Sequence, residues 1–185
     1  MKAIPLSLEG LYLIEPDVFG DARGYFMEVW TAEKFKKCGL DLDFVQDNQS
    51  FTAKKDTLRG LHFQLDPAAQ AKIVRVVTGA VLDVAVDLRR GSPTYLQWES
   101  AELSGENKRQ LLIPRGFAHG FLTLTDDVTF AYKVDQGYCP ELDRTIRFDD
   151  PTIGVDWGVK NPMLSNKDLA APNLADSDCN FVYKK

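Results

Sequence analysis

The chain alternates apolar and polar residues with a period of two over most of its central length. Lys72-Ile-Val-Arg-Val-Val77 and the run from Ala80 to Leu88 are rich in β-branched residues, and Thr78-Gly79 between them marks a hairpin turn. In the second run Leu82, Val84, Val86 and Leu88 alternate with Val81, Asp83, Ala85 and Asp87, so the two faces of the strand differ in chemistry. Further strands are predicted over 58–64, 95–103, 109–113, 118–124 and 128–134, parted by turn signals such as Gly91-Ser92-Pro93 and Asp126-Asp127. Helical patterning is confined to two places. Residues 31–38 read as a short helix with Thr31 as N-cap and Gly39 as its stop. Ser165-Asn166-Lys167-Asp168 has the pattern of a capping box opening a second helix that ends near Pro172. Short strands at this spacing predict an all-β fold, an antiparallel sandwich or barrel with a few short helices. The βα rhythm of a dinucleotide-binding sheet is absent, as are Gly-x-Gly-x-x-Gly and the P-loop.

Composition narrows the function classes. With 185 residues, 44% hydrophobic and 26% charged, residues 1–185 are expected to form one globular domain. The 22 basic and 27 acidic residues give a net charge of −5, which argues against nucleic acid as a partner. A phosphate-bearing ligand must then be held by local cations rather than by an overall positive field. The opening Met-Lys-Ala-Ile-Pro-Leu-Ser-Leu-Glu-Gly lacks the apolar core of a signal peptide, and no apolar run approaches bilayer length. Cys38, Cys139 and Cys179 are odd in number and widely spaced, which fits a reducing compartment. A cytoplasmic protein without a membrane partner is expected.

The chemistry-bearing residues are few. Only His62 and His119 are available as imidazoles, so a metal site would need carboxylates to complete it, and none is expected. No Gly-x-Ser-x-Gly marks a covalent nucleophile. What remains is acid–base chemistry on His62, inside Leu58-Arg-Gly-Leu-His-Phe-Gln64. A lone histidine in an apolar strand is more often a hydrogen-bonded core residue than a catalyst. As a base it needs a carboxylate to fix its tautomer, and Asp83, Asp87 and Asp168 are candidates that sequence does not rank. Asp83 and Asp87 read equally well as a solvated strand face, and Asp168 as part of the capping box. Three further clusters stand out: Asp21-Ala-Arg-Gly-Tyr-Phe-Met-Glu28, Ile113-Pro-Arg-Gly-Phe-Ala-His-Gly-Phe121 and Ala131-Tyr-Lys-Val-Asp-Gln-Gly-Tyr138.

Together with Phe19-Gly-Asp-Ala-Arg-Gly-Tyr-Phe26, Val45-Gln-Asp-Asn48, Asp83-Val-Ala-Val-Asp-Leu-Arg89 and Leu164-Ser-Asn-Lys-Asp168, these stretches resemble the dTDP-4-dehydrorhamnose 3,5-epimerases. The motifs run in order from about residue 3 to 172, and residues 173–185 are poorly matched. The resemblance implies a cupin-type jelly roll, a homodimer, no metal or other cofactor, and a dTDP-4-keto-6-deoxysugar substrate. It places the base on His62, its carboxylate partner on Asp168, the opposing acid on Tyr132 and a cation near the 4-keto oxygen on Lys72. It places sugar and diphosphate contacts on Arg23, Glu28, Gln46, Asp47, Asn48, Arg59, His119 and Lys167. A thymine-stacking aromatic falls on Tyr138, and an acidic contact falls on or near Asp143. Rival readings within the same barrel are a 3-epimerase, a sugar-nucleotide binding module without catalysis and a metal-dependent oxygenase.

The resemblance carries one geometric consequence. Strict alternation would put Arg59 and His62 on opposite faces of a strand. Both reach one pocket only if the strand is bulged or bent, and Gly60 is the residue that permits it.

Overall fold

The computed structural model describes residues 1–184. Its thirteen strands are β1 (Lys2–Pro5), β2 (Tyr12–Glu15), β3 (Val18–Asp21), β4 (Gly24–Met27), β5 (Gln46–Thr52), β6 (Leu58–Gln64), β7 (Lys72–Thr78), β8 (Ala80–Asp87), β9 (Trp98–Ser104), β10 (Gln110–Ile113), β11 (Phe117–Thr123), β12 (Val128–Val134) and β13 (Asp143–Thr145). They form a six-stranded sheet, β1-β2-β10-β7-β12-β5, a five-stranded sheet, β13-β6-β11-β8-β9, and a separate β3–β4 hairpin. The two large sheets face each other as a cupin-type jelly roll. This is the all-β architecture the alternation predicts.

Three apolar layers hold it together. Between the sheets, Val74, Val76, Leu111 and Phe130 of one pack against Val81, Ala85, Leu103 and Phe121 of the other. Outside the five-stranded sheet, Leu58, Phe63, Val84 and Val86 are covered by Ile146, Ile153, Trp157 and Phe181 from the C-terminal segment. Outside the six-stranded sheet, Ile14, Ile73 and Leu112 are covered by Phe35 and Leu40. Each buried aliphatic side chain contributes about 1.5–3 kcal/mol.

The second layer corrects the solvated-face reading of β8. Residues beyond 146 cover the outward Val84 and Val86, while Asp83 and Asp87 point inward, and both aspartates are fully buried. From Asp83 to Asp87 neither face of this strand meets water.

The helices are as short as expected. Helix α1 (Ala32–Lys37) follows Thr31, whose side chain makes no capping bond, and ends before Gly39 at φ +78°. Helix α2 (Asn166–Leu169) is capped by Ser165, whose Oγ accepts the Asp168 amide. The 95–103 strand starts later than predicted, at Trp98, because residues 92–97 are taken up by turns.

Candidate active site

Strand β6 delivers the first side chains of the site. His62 pairs with His119 and Arg59 with Phe121, so three steps along β6 match two along β11. That is a β-bulge, and it lies at Gly60-Leu61. Gly60 has φ +137°, and a Cβ there would sit 2.6 Å from the Cα of Gly120. Only glycine allows both the conformation and the approach. The bulge cancels the alternation, and Arg59 and His62 line the same cavity of about 170 Å³. Ser50, Lys72, Phe130 and Tyr132 line it from the six-stranded sheet, and His119 and Phe121 from β11. Phe121 and Phe130 stack at 4.2 Å between centroids and close its apolar end.

His62 Nε2 lies 2.6 Å from Asp168 Oδ1, which resolves the choice among three carboxylates. The other two are taken: Asp83 holds His119 Nε2 at 3.0 Å through both oxygens, and Asp87 accepts from Arg89, Ser92 and Thr94. Asp168 Oδ2 accepts the Ser165 hydroxyl at 2.7 Å while the Asp168 amide donates back to that oxygen at 3.1 Å. The expected capping box is therefore half made. Its carboxylate is diverted from the helix terminus to the imidazole. Burial alone would raise the Asp168 carboxyl, but the His62 and Ser165 hydrogen bonds outweigh it and hold the group below the usual carboxylate range. Asp168 is thus an anion at neutral pH, tethering an imidazole that is 33% exposed.

The facing sheet supplies groups of opposite character. Burial pushes the Lys72 ammonium down to about 8, with Asp143 and Asp83 opposing the shift. Burial, reinforced by Asp143 and opposed by Arg59, pushes the Tyr132 phenol up, so it carries its proton at neutral pH. Burial likewise raises the Asp83 carboxyl, opposed by His119 and Lys72. Arg59 is anchored across the sheets, Nε donating to Thr52 Oγ1 at 3.1 Å and Nη2 to the Phe51 carbonyl at 3.3 Å.

At the cavity mouth, Asp143 Oδ2 accepts from Lys167 Nζ at 2.5 Å and from the Tyr138 hydroxyl at 3.5 Å. Gln46 and Asn48 share one face of β5 and are hydrogen bonded at 2.8 Å, and Asn48 Nδ2 is buried with no partner among the described residues. Asp47 does not join them. The alternation of β5 turns it to the outer face of the sheet, where Lys133 Nζ binds it at 2.7 Å. Arg23 and Glu28 are also away from this chain's cavity. Arg23 lies at the tip of the β3–β4 hairpin, 90% exposed and paired with Asp21, and Glu28 pairs with Lys34. Sequence reading missed Ser50, Phe121 and Phe130 as wall residues. Phe121 ends a singled-out motif, and β5, which carries Ser50, is too polar to register as a strand. Among the described residues no three His, Cys, Asp or Glu side chains cluster as a metal site.

Comparison with known proteins decides the family. The family model for dTDP-4-dehydrorhamnose 3,5-epimerase matches residues 5–176. The chain belongs to this family. A Sinorhizobium fredii protein named dTDP-4-dehydrorhamnose 3,5-epimerase is 51% identical over 97% of this chain and 93% of its own length. A Legionella pneumophila dTDP-6-deoxy-D-glucose-3,5-epimerase, solved with dTDP-4-keto-L-rhamnose, is 44% identical, covers 100% of this chain and 99% of its own, and superposes with a TM-score of 0.93. A Streptomyces bikiniensis 3'-monoepimerase, solved with dTDP-quinovose, is 38% identical over 92% of this chain and 87% of its own, with a TM-score of 0.86. The epimerase fold therefore hosts both double and single epimerisation.

Proposed function

We propose that the chain is a dTDP-4-dehydrorhamnose 3,5-epimerase, converting dTDP-6-deoxy-D-xylo-4-hexulose into dTDP-4-dehydro-β-L-rhamnose. The observation that carries the reading is the lining of one cavity by a base and an acid from facing sheets. His62, tethered to an ionised Asp168, enters from β6, and the protonated Tyr132 enters from β12.

C3 and C5 both lie α to the C4 ketone, so their protons become acidic when the enolate oxygen is stabilised. His62 takes the proton on one face. The Lys72 ammonium stabilises the developing oxyanion, a term of a few kcal/mol in a dry site, about 3. Tyr132 returns a proton to the opposite face, and repetition at the second carbon completes the double inversion. His62 and Tyr132 are both partly exposed, so solvent takes the proton from the imidazolium and returns one to the phenolate before the second carbon reacts. Side chains supply base, acid and electrostatic stabilisation, so no cofactor enters the scheme.

The remaining polar groups suit a nucleoside diphosphate. Arg59 and Lys167 are cations for the diphosphate, His119 and the unpartnered Asn48 Nδ2 are donors to sugar or phosphate, and Tyr138, 60% exposed at the mouth, is a stacking surface for thymine. Arg23 and Glu28 belong to a site completed by a second copy. The homodimer is supported by the β3–β4 hairpin, which exposes Phe19, Tyr25 and Phe26, and by β5, which ends its sheet with an unpaired edge. The whole chain forms a single epimerase domain, and the cytoplasm is its compartment; among the described residues no helix is long and apolar enough to cross a membrane.

The 3'-monoepimerase at 38% identity keeps a 3-epimerase reading in view. Incubation with substrate in D2O separates the two. Deuterium at both C3 and C5 is expected, and deuterium at C3 alone would replace the double epimerase with the single one. Absence of any exchange would leave only a binding module.

A further inference from the structure

After β12 the chain runs through residues 136–139, whose backbone is held by glutamine side chains instead of a strand partner. Gln70 Nε2 donates to the Gln136 carbonyl at 2.7 Å, and Gln64 Nε2 donates to the Gly137 carbonyl at 3.2 Å. The Tyr138 amide donates to Gln46 Oε1 at 3.1 Å, and the Cys139 amide to Gln64 Oε1 at 2.8 Å. Gln64 thus clasps the residues on both sides of Tyr138. Its second amide proton goes to the Ala68 carbonyl at 2.8 Å, and the residue is 3% exposed. Every arm of the amide is used, and burial leaves it no alternative partner in water.

The tyrosine ring itself is 60% exposed, and among the described residues its hydroxyl has one hydrogen bond, a long contact to Asp143. A ring so exposed keeps a fixed position only if its backbone does. Gln64 lies two residues beyond His62 on β6, about 7 Å along a strand. One strand therefore carries both the imidazole and the clamp on the aromatic.

We infer that Gln64 is a positioning residue for the nucleotide end of the substrate, holding Tyr138 at a set offset from His62. The inference rests on the sugar-nucleotide reading above. A loop ordered before binding spares the ligand the cost of ordering it. Loss of the clamp should then weaken nucleotide affinity and leave chemistry at saturation alone, because His62, Lys72 and Tyr132 are held by other contacts.

The test uses Gln64→Leu, which keeps the volume and removes the amide. Gln64→Glu serves beside it, keeping the acceptor for the Cys139 amide and losing both donors. Calorimetry gives the Kd for dTDP, and steady-state kinetics give KM and kcat. The expected result is about a tenfold rise in Kd and KM for either variant, with kcat within about twofold of wild type. In a Tyr138→Ala background, Gln64→Leu should change Kd by less than about twofold, because the residue acts through the tyrosine. Unchanged dTDP affinity in the variants, or additive effects in the double variant, would overturn the inference while leaving the epimerase intact. A wild-type chain that does not bind dTDP would instead sink the sugar-nucleotide reading, and the role of Gln64 with it.

Discussion

In the proposed mechanism His62 and Tyr132 carry opposite halves of one proton transfer, so their replacements should fail differently. His62→Ala removes the base, and solvent deuterium should enter neither C3 nor C5. Tyr132→Phe keeps the base and loses the donor. His62 can still take a proton and return a deuteron to the same face, so NMR should show exchange without inverted product. Inversion retained at wild-type rate would remove Tyr132 from its role. Ser165 acts one step back, fixing the Asp168 carboxylate through its 2.7 Å hydrogen bond. Ser165→Ala should lower kcat by about tenfold, the value of one hydrogen bond to a charged group, and Ser165→Thr should restore most of it. Lys72 gives a pH signature. Its ammonium is pushed down to about 8 because burial disfavours the charge, so the cation proposed to stabilise the enolate is present below that pH and lost above it. The kcat/KM profile should fall above about pH 8, and Lys72→Arg should abolish that limb, since the guanidinium stays charged. A limb unmoved by the arginine would assign it to another group. These roles rest on features that sequence shows only in part. Asp83, Asp87 and Asp168 are locally alike as partners for His62, and only the packing of α2 against β6 separates them.

Strand β6 shows how backbone geometry, rather than side-chain identity, assembles the cavity. Once the resemblance assigns Arg59 and His62 to one pocket, the need for a bend is readable from their odd spacing together with Gly60. The close approach of Gly120 is not, because it belongs to a strand sixty residues away. Gly60→Ala should therefore cost about 2–4 kcal/mol, since its Cβ would meet the Gly120 Cα at 2.6 Å and φ is +137°. Thermal unfolding should report a drop of several degrees, about 5–10 °C, with activity lost even where the variant stays folded. A variant as stable and active as wild type would show that the bulge is not what aims Arg59 and His62. The same contrast runs through the fold. Central strands such as β7, β8 and β12 were legible because β-branched residues crowd them. Strands β5 and β13 were not, since Gln46-Asp-Asn-Gln-Ser50 and Asp143-Arg-Thr145 pair with neighbours while keeping mostly polar side chains. The burial of Asp83 was also hidden. An alternating strand looks half-solvated until distant segments cover both faces: here residues 146–181 lie over Val84 and Val86, which leaves the Asp83 face turned inward to the other sheet.

At the scale of the whole molecule, the chain holds a cavity and, away from it, a charged hairpin that the proposed dimer would bring to a cavity. Arg23 is 90% exposed beside Phe19 and Phe26 at 61% and 66%, an arrangement that is costly in water and natural at an interface. With β5 open at the edge of its sheet, a two-fold pair could exchange hairpins and bring each Arg23 to the other subunit's cavity. Sedimentation should then give twice the 20.8 kDa chain mass. Complementation tests the exchange itself. His62→Ala and Arg23→Ala homodimers should each be nearly inactive in the D2O assay. Mixed and allowed to redistribute, half the dimers would pair one of each, and one cavity in each such dimer would regain an intact His62 with an intact Arg23. Activity should return to about one quarter of wild type. If Arg23 served its own subunit's cavity, every site in the mixture would lack one of the two residues and no activity would return, so the recovered fraction reads directly which chain supplies the arginine.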